Sequence, residues 1–243
     1  AAARWVYTTS GTAARPKGVR HTDASVYASA NATVETFSVV PDDVFPMAYP
    51  YAHIGGVSWL VAALRTGARI VLLDTFDPVT TPMTMARHGA TILGSATPFF
   101  HAYLAAQRAH GPGRLFDGLR LCMGGGAPVA PDLDETVRDV LGGLGVCNGY
   151  GLTEFPIAGY PPVDDQEARS TSSWTPGPGV EVRIVNADGT ECAVGAAGEL
   201  CLRGPQRFAG YLEPHLDAAA FDAEGYVRTG GSSWPLRTSR RSP

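Results

Sequence analysis

The sequence predicts an α/β fold, in which a largely parallel sheet is flanked by helices and followed by a small, mostly β subdomain. From residue 4 to about residue 150, short β-branched segments alternate with longer helix-like segments, which is typical of a parallel sheet covered by helices. A polar, proline-rich stretch at 161–178 interrupts this pattern. After it, residues 180–185 alternate between apolar and polar side chains, as a half-buried strand does.

The first portion of the chain contains the elements of the predicted sheet layer. Its apolar, β-branched segments are the strand candidates: 5–8, 44–48, 69–73, 91–94, 119–123 and 146–148. The helix candidates lie between them: 23–37, 56–65, 97–108 and 131–141. Thr22 and Asp23 are residue types that favour the N-cap of the first helix. Gly67 follows the second helix, where a left-handed glycine often ends a helix.

The second portion is predicted to be a small antiparallel sheet. Asp188 and Gly189 form a hairpin-type turn between the strand candidates 180–185 and 199–203. We therefore divide the chain into an α/β portion at 1–160 and a β-rich subdomain at 175–231. The remaining tail at 232–243 has no apolar pattern, and we expect it to be disordered.

Composition and charge restrict the class of protein. Hydrophobic residues make up 44% of the 243 residues and charged residues 17%, which excludes an intrinsically disordered chain. Asp and Glu (23) outnumber Lys and Arg (19), so the formal charge of -4 predicts no nucleic-acid partner. No apolar run approaches the roughly 20 residues of a transmembrane helix, so we expect no transmembrane segment.

The cysteines and the first residues favour a location in the cytoplasm. Cys122, Cys147, Cys192 and Cys201 show no CxxC spacing and do not cluster with histidines, so they indicate neither a zinc site nor a disulfide framework. We interpret them as buried thiols in a reducing compartment. Residues 1–7 lack the charged, apolar and cleavage regions of a signal peptide, which together with the cysteines predicts a cytoplasmic protein.

A hydroxyl- and glycine-rich stretch at 7–18 follows the first predicted strand. Small residues such as Ser10 and Gly11 let backbone N–H groups approach phosphate oxygens, and Lys17 can neutralise their charge. A helix that we expect to start directly after this loop would add the positive end of its dipole. The Walker A pattern is absent because Lys17 precedes Gly18, and neither GxGxxG nor GxSxG occurs. The stretch predicts a phosphate loop of another type, with a plain surface turn as the alternative.

Four motifs in a fixed order resemble one enzyme family. Residues 9–18 (TSGTAARPKG) resemble the phosphate loop TSGTTGxPKG of the AMP-forming adenylating enzymes, which include acyl-CoA synthetases, peptide-synthetase adenylation domains and firefly luciferase. Residues 150–154 (YGLTE) resemble the YGxTE motif of this family. Residues 198–211 resemble its GEL…GY segment, and residues 226–230 (YVRTG) resemble the start of its (Y/F)xTGD motif. An ordered set of four motifs is far more specific than any single one.

The resemblance implies that the chain is an internal fragment of the large N-terminal domain of such an enzyme, with part of the acyl-CoA synthetase fold. It implies a two-step ligase reaction, in which a carboxylate attacks the α-phosphate of ATP to give acyl-AMP and pyrophosphate, and the thiol of CoA then displaces AMP. The implied cofactors are ATP and Mg²⁺, with CoA as acceptor, and the implied partner is a small carboxylic acid, as in fatty acid metabolism. Family chains extend further on both sides and carry a catalytic lysine in a C-terminal domain, so we expect this fragment to be inactive alone.

The resemblance also implies roles for individual residues of the 1–160 portion. The implied catalytic residues are Thr153, Glu154 and Lys17, and Glu154 is also the implied metal ligand. Tyr150 would stack on adenine. The implied nucleotide-binding residues are Thr9, Ser10, Gly11, Thr12, Lys17, Gly125, Gly126, Ala127, Tyr150, Gly151 and Thr153. The implied substrate-pocket residues are His53, Gly55 and Gly124.

Two segments that contain candidate site residues also have an alternative, purely structural interpretation. Residues 121–128 (LCMGGGAP) place three glycines at the end of a predicted strand, where open parallel sheets bind ligands, although a tight turn would also use them. Residues 47–56 (MAYPYAHIGG) resemble the PxxHxxG pocket segment of the family, which makes His53 a pocket candidate with a core histidine as the alternative. The other histidines have no comparable motif: His21, His88, His101, His110 and His215.

The absence of a carboxylate near His53 indicates the substrate class. Amino-acid-activating members of the family place an Asp in this segment to pair with the α-ammonium group, whereas no Asp or Glu occurs at 45–73. This difference favours an acid without an amine, and therefore acyl-CoA formation. Two alternatives stay open, namely an adenylation domain of a peptide synthetase that works with a carrier protein, and a non-catalytic remnant.

The sequence departs from the family pattern at two places. Ala13 and Ala14 stand where the phosphate loop usually has Thr and Gly, and a Cβ where positive φ is required costs about 1 kcal/mol. Gly231 stands where the family has the Asp that hydrogen-bonds both ribose hydroxyls, and nothing after it resembles the family. We therefore expect this chain to bind ATP weakly.

Overall fold

The structure is a computed structural model that describes residues 2–9, 16–47, 52–171 and 174–233. Twelve strands lie in these ranges: β1 (Ala3–Thr9), β2 (Lys17–Thr22), β3 (Val44–Met47), β4 (Arg69–Leu72), β5 (Ile92–Ser95), β6 (Leu121–Gly125), β7 (Val146–Leu152), β8 (Phe155–Tyr160), β9 (Thr175–Pro176), β10 (Glu181–Val185), β11 (Gly198–Arg203) and β12 (Val227–Ser233). Seven α-helices accompany them: α1 (Asp23–Phe37), α2 (Ile54–Thr66), α3 (Thr80–Arg87), α4 (Thr97–His110), α5 (Pro131–Leu141), α6 (Gln166–Ser170) and α7 (Asp217–Ala220).

The central sheet is mixed and has the strand order β5-β6-β7-β8-β9. Strands β5, β6 and β7 are parallel, whereas β8 and β9 continue the sheet in antiparallel pairs. The parallel pair β3-β4 lies beside β5, because the N–H of Thr91 donates to the carbonyl oxygen of Val44 at 2.8 Å. The predicted α/β class is therefore confirmed, with a sheet that is parallel in its first part only.

Alternation along the central strands directs apolar side chains to two helical layers. Leu121 and Met123 of β6 pack with Phe37 of α1 and Trp59 of α2. Between them, Cys122 points to the opposite face and packs in the cluster that contains residues of α4 and α5. This period of two is the geometry of a strand buried on both faces. Helices α1 and α2 thus cover one face, and helices α4 and α5 the other.

The two predicted caps are confirmed. The side chain of Thr22 accepts a hydrogen bond from the N–H of Ser25, and Ser25 Oγ accepts from the N–H of Thr22, which forms a reciprocal capping box at the start of α1. Gly67 ends α2 with φ of 80°, a left-handed conformation that glycine adopts without a steric penalty. Strand β8 and helix α3 are elements that the hydrophobic pattern alone did not indicate.

The N-terminal region corrects the prediction in two respects. Strand β1 is paired with β2 as an antiparallel hairpin and is not a strand of the parallel sheet. The element after the loop is β2 and not a helix, so the helix dipole expected at the loop is replaced by a strand end. The reason lies in the alternation of β2, in which Val19 and His21 are fully buried. Loop residues 10–15, including Ser10, Gly11 and Thr12, lie outside the described residues.

The last part of the chain forms an antiparallel sheet in the order β10-β11-β12. The predicted turn is present: Gly189 has φ of 86°, and the N–H of Asn186 donates to the carbonyl oxygen of Thr190 at 2.8 Å. Phe155 of β8 shares a buried cluster with Leu202 of this sheet. Strand β12 continues through Ser233 and so includes the first two residues of the predicted tail, and 234–243 lie outside the described ranges.

The cysteines and helices agree with the expectations from composition. All four cysteines are free, and Cys122, Cys147 and Cys201 are buried, whereas Cys192 is only half-buried. Burial raises the pKa of the Cys147 thiol to about 12, so this group is a neutral packing residue. None of the helices in the described ranges combines the length and apolar character that a membrane crossing requires.

Candidate active site

A cavity of about 380 Å³ opens at the carboxyl end of the parallel strands. Its walls include the glycine-rich end of β6, residues 149–153 at the end of β7, and the start of α2 with His53 and Trp59. Open α/β sheets bind ligands at this edge because the loops that follow adjacent parallel strands diverge there. The location agrees with the prediction for residues 121–128.

Glycines allow the backbone to form two of these walls. Gly126, which follows β6, has φ of 81°, a backbone conformation that residues with a side chain rarely adopt. A Cβ at Gly151 would overlap the carbonyl oxygen of Pro156 on the neighbouring strand, so only glycine lets β7 and β8 approach this closely. The backbone therefore favours glycine at both positions, and both residues also line the cavity.

The ring of Tyr150 borders the cavity and stacks on Trp174. The two ring centroids are 5.3 Å apart and the ring planes differ by 9°. Burial raises the pKa of the Tyr150 hydroxyl, and a hydrogen bond with the side chain of Thr229 opposes this rise. Trp174 thus holds Tyr150 in a fixed orientation, with one ring face covered by protein.

Thr153 and Glu154 form a two-residue turn between β7 and β8. Leu152 and Phe155 are the last paired residues on either side of it. The carbonyl oxygen of Thr153 accepts a hydrogen bond from Nε2 of His21 at 2.8 Å. The carbonyl oxygen of Glu154 accepts from the N–H of Phe208 at 2.9 Å. The turn is therefore hydrogen-bonded to two other parts of the chain.

The carboxylate of Glu154 lies next to Tyr211, whose ring in turn contacts Lys17. Its Oε1 accepts a hydrogen bond from the Tyr211 hydroxyl at 2.7 Å. Burial raises the pKa of this hydroxyl, and the hydrogen bond to Glu154 raises it further, so the tyrosine stays a neutral donor. Lys17 Nζ lies over the Tyr211 ring, 5.1 Å from its centroid, in a cation–π contact. Three motifs that are far apart in sequence thus converge at this carboxylate.

Lys17 and Thr9 mark the two ends of the phosphate-loop segment. They are paired directly opposite each other in the β1-β2 hairpin. The hairpin therefore holds Thr9 opposite Lys17, and Lys17 contacts the ring of Tyr211. The sequence prediction that the loop and the YGxTE motif belong to one site is consistent with this arrangement.

His21 is a residue that the sequence reasoning missed. It is fully buried, and its two ring nitrogens lie 2.8 Å from the carbonyl oxygen of Thr153 and 3.1 Å from Ser25 Oγ. Burial lowers the pKa of its imidazole, although the hydrogen bond to Thr153 and the charge of Glu154 oppose this effect. Assigning 17–22 as a strand would have found it, since His21 then shares a face with Lys17.

His53 caps helix α2 and also lines the cavity. Its Nδ1 accepts a hydrogen bond from the N–H of Gly55 at 3.0 Å, which makes it the N-cap residue. Removal of water by the surrounding protein lowers the pKa of its imidazole, so the ring is neutral at pH 7. Trp59 and Tyr160 are further, largely apolar walls of the cavity. No Asp, Glu, Lys or Arg occurs among the lining residues in the described part of the chain.

The structure groups the predicted site residues in three sets. The first set lines the cavity: His53, Gly55, Gly124, Gly125, Gly126, Tyr150, Gly151 and Thr153. The second set is described but does not line the cavity: Thr9, Lys17, Ala127 and Glu154. The third set, Ser10, Gly11 and Thr12, lies outside the described residues. Asn148 is a further residue that was missed, since its Nδ2 donates to the carbonyl oxygen of Ala127 at 3.0 Å.

Two observations test whether the site fits Mg²⁺ and a nucleotide. Within the described residues no group of three His, Cys, Asp or Glu side chains could hold a metal, and Glu154 offers one carboxylate with no protein hydrogen bond described at Oε2. A single carboxylate suits Mg²⁺, which proteins commonly hold through one or two carboxylates together with substrate phosphates. Oδ1 of Asn148 is buried beside Gly124 without a hydrogen-bond partner in the described part, as expected where a ligand or water completes a site.

Gly231 of β12 lies next to Tyr150. A Cβ built on Gly231 would be 3.8 Å from the Tyr150 hydroxyl and 3.5 Å from Thr229 Oγ1. Both distances are ordinary van der Waals contacts, so a larger side chain fits here. The position where the resemblance expects an Asp is therefore beside the predicted adenine-stacking residue, although this chain has no carboxylate there.

The fold and the site together define a member of the AMP-forming adenylating enzymes, and comparison with known proteins shows the same class. The profile of the family described as AMP-binding enzyme matches residues 3–212, so the chain belongs to this family. The 2-succinylbenzoate–CoA ligase of Enterococcus faecalis is 29% identical over 224 residues, which are 91% of this chain and 45% of that protein. The medium-chain fatty-acid–CoA ligase of Escherichia coli is 32% identical over 91% of this chain and 39% of that protein.

A solved structure agrees with these relatives. The O-succinylbenzoate coenzyme A synthetase of Bacillus subtilis, determined in complex with ATP and magnesium ion, superposes with a TM-score of 0.83 at 26% identity. The match covers 94% of this chain and 47% of that structure. The family resemblance seen in the motifs is therefore confirmed. The chain spans less than half the length of the curated relatives it matches.

Proposed function

We propose that this chain supplies the nucleotide- and acyl-binding part of a CoA ligase that activates a carboxylic acid with ATP. In the first step the carboxylate oxygen attacks the α-phosphorus of ATP, the bond to the β-phosphate breaks, and pyrophosphate leaves with that electron pair. In the second step the CoA sulfur attacks the acyl carbon, and AMP leaves. The carrying observation is the cavity where the glycine-rich end of β6, the Tyr150 to Glu154 motif and the His53 segment meet.

The proposed division of the chain follows from this assignment. Residues 1–160 would bind nucleotide and acyl group, and the β-rich part at 175–231 would support the nucleotide side through Tyr211. Thr153, Lys17 and the loop at 9–12 would contact phosphates, and Glu154 would hold Mg²⁺, which supplies charge neutralisation during phosphoryl transfer. Free cysteines are compatible with a cytoplasmic location, where ATP and CoA are present.

The cavity favours an acid without an amino group. An α-ammonium group needs a carboxylate partner when it leaves water, and the described lining offers none. The apolar walls formed by Trp59 and Tyr160 instead suit an aliphatic or aromatic acyl group. We therefore favour an aliphatic or aryl acid over an amino acid as substrate, and CoA over a carrier protein as acceptor.

The test uses a completed protein, in which the flanking segments of the E. faecalis ligase are joined before residue 1 and after residue 233. We expect pyrophosphate release with hexanoate or cinnamate, and a CoA thioester in the products. Alanine and phenylalanine serve as amino-acid controls and should give neither. Exchange with amino acids alone would reverse the substrate class, whereas exchange with no acid would favour the non-catalytic remnant.

A further inference from the structure

We propose that His21 and Tyr211 are positioning residues that hold the Thr153–Glu154 turn in the geometry needed to meet the Mg²⁺-bound phosphates of ATP. The proposal rests on the proposed function, because it assigns a role to residues behind that site. Neither residue borders the cavity described above. Both act through the turn, His21 on its backbone and Tyr211 on the Glu154 side chain.

The hairpin itself gives the turn little support. The β7-β8 ladder has a register irregularity between Tyr150 and Leu152, so only the Leu152–Phe155 pair is regular next to the turn. A turn at the end of such a ladder can move as a unit unless other groups fix it. The contacts from outside the hairpin therefore decide where Thr153 and Glu154 lie.

Those contacts satisfy three acceptors of the turn. The carbonyl oxygen of Thr153 takes the His21 proton, the carbonyl oxygen of Glu154 takes the Phe208 N–H, and Oε1 of Glu154 takes the Tyr211 hydroxyl. Losing the fully buried His21 donor leaves the part-buried carbonyl of Thr153 without this hydrogen bond. The hydroxyl of Tyr211 engages one carboxylate oxygen and leaves the other for a cation.

Strand β2 connects these contacts to the phosphate loop. Lys17, Val19 and His21 alternate along β2 and therefore share one of its faces. Val19 forms a bridge with Tyr211, and the N–H of Tyr211 donates to Asp217 Oδ1 at 2.7 Å. One face of β2 thus contacts Tyr211 through Lys17 and Val19 and the turn through His21.

The consequence concerns the metal-dependent part of nucleotide binding. Mg²⁺ demands near-ideal octahedral geometry, so a carboxylate displaced by even an ångström loses much of its value as a ligand. The residues that the family resemblance implies for the adenine base, Tyr150, Gly125 and Gly126, are not part of the turn. Loss of His21 or of the Tyr211 hydroxyl should therefore weaken Mg·ATP binding and leave metal-free ATP binding nearly unchanged.

The experiment measures ATP binding to the completed protein by calorimetry, in Mg²⁺ and in EDTA, with no acid present. His21→Leu removes the donor, whereas His21→Gln keeps an amide N–H at the Nε2 position. We expect His21→Leu to weaken Mg·ATP binding about tenfold, His21→Gln to restore most of it, and both to bind metal-free ATP within twofold of the parent. In pyrophosphate release, His21→Leu should lower kcat and raise the Mg²⁺ concentration that gives half-maximal rate.

Two further variants separate positioning from stability. Tyr211→Phe removes one hydroxyl and should show the same Mg²⁺-dependent loss, which covers the case in which His21→Leu does not fold. Val137→Ala, in the buried cluster on the other face of the sheet, lowers stability without touching the turn and should bind Mg·ATP like the parent. Equal losses in Mg²⁺ and EDTA, or no loss in either variant, would overturn the proposal. A parent that binds no ATP would instead contradict the proposed function.

Discussion

The two sides of the candidate nucleotide site differ in how their functional groups are held. On one side, the Thr153–Glu154 turn receives hydrogen bonds from three residues of two other segments, including the fully buried His21. On the other side, Gly231 offers only space beside Tyr150. Several hydrogen bonds hold the first side in place. The second side depends on one side chain, the Asp that the resemblance expects at position 231, and this chain has glycine there.

This difference shows which changes the site tolerates. A network fixes geometry through many residues, so replacing its central carboxylate should remove function and leave the fold intact. A side that depends on one side chain can be restored by one substitution, provided that the backbone leaves room. The distances around Gly231 satisfy this condition.

The largest expected effect is that of Glu154→Gln. In the completed protein this change should lower adenylation by about 100-fold, because it removes a charge at a phosphoryl-transfer site and very little volume. The Tyr211 hydroxyl can still donate to the amide oxygen, so the turn should keep its position. Acid-dependent pyrophosphate exchange measures the loss, and thermal unfolding checks the fold. A mutant with a near-parental exchange rate would remove Glu154 from the site.

Gly231→Asp should have the next largest effect, in the opposite direction. The resemblance implies that an Asp here binds both ribose hydroxyls, and hydrogen bonds to a charged group contribute about 1.5–3 kcal/mol each. We expect the 243-residue chain to bind Mg·ATP weakly and the variant to bind at least about tenfold more tightly. Gly231→Asn is the matched control, with similar volume and no charge. Micromolar binding by the parent chain, or no gain in a folded variant, would contradict this interpretation of β12.

Trp174→Leu should have a smaller effect, because Trp174 acts only through the ring of Tyr150, on which it stacks. An aromatic pair contributes about 0.5–1.5 kcal/mol beyond the burial of its area, so ATP affinity should fall about threefold. Trp5→Leu removes a comparable ring that contacts Asp23 and does not border this cavity, and it should leave ATP affinity unchanged. Calorimetry on the Gly231→Asp background makes the difference measurable. An equal loss in both variants would show that Trp174 does not position Tyr150.

The sequence predicted the central part of the fold because its patterns are local. The apolar segment at 119–123 and the glycine after α2 are both recognised from neighbouring residues alone. The error at 17–22 has a physical cause, since Lys-Gly-Val-Arg-His-Thr is short and polar, and its strand character comes from pairing with β1 and with the segment around Gly210. Long-range pairing of this kind is absent from any local pattern.

The same distinction applies to the candidate site. The motifs at 9–18 and 150–154 indicated Lys17, Thr153 and Glu154, because each motif consists of adjacent residues. His21 and Tyr211 could not be assigned in this way, since each acts through a contact with a residue more than 50 positions away. Recognising β2 as a strand would have placed His21 on the face of Lys17, but only the tertiary structure brings that face to the turn.

The smallest expected effect concerns the ion pair of Asp43 and Arg120, which connects two elements that line the cavity. Asp43 is buried, and Arg120 donates to both of its carboxylate oxygens while also donating to the carbonyl oxygen of Phe37 at the end of α1. Burial alone would raise the pKa of Asp43, but the hydrogen bonds from Arg120 and Thr91 outweigh it and lower the pKa below the usual value. The pair therefore ties α1 to the start of β6, and both elements line the cavity.

A carboxyl group with a lowered folded-state pKa binds fewer protons in the folded than in the unfolded chain. Its contribution to the free energy of unfolding is therefore fully present above the unfolded pKa of about 3.9, and it is lost as the pH falls through the folded pKa. Urea unfolding of the 243-residue chain between pH 7 and pH 3 should show a steeper loss of stability for the parent than for Asp43→Asn, which no longer titrates. Asp42→Asn, at an exposed neighbouring position, should follow the parent curve. Parallel curves for the parent and Asp43→Asn would mean that this ion pair does not make the free energy of unfolding depend on pH.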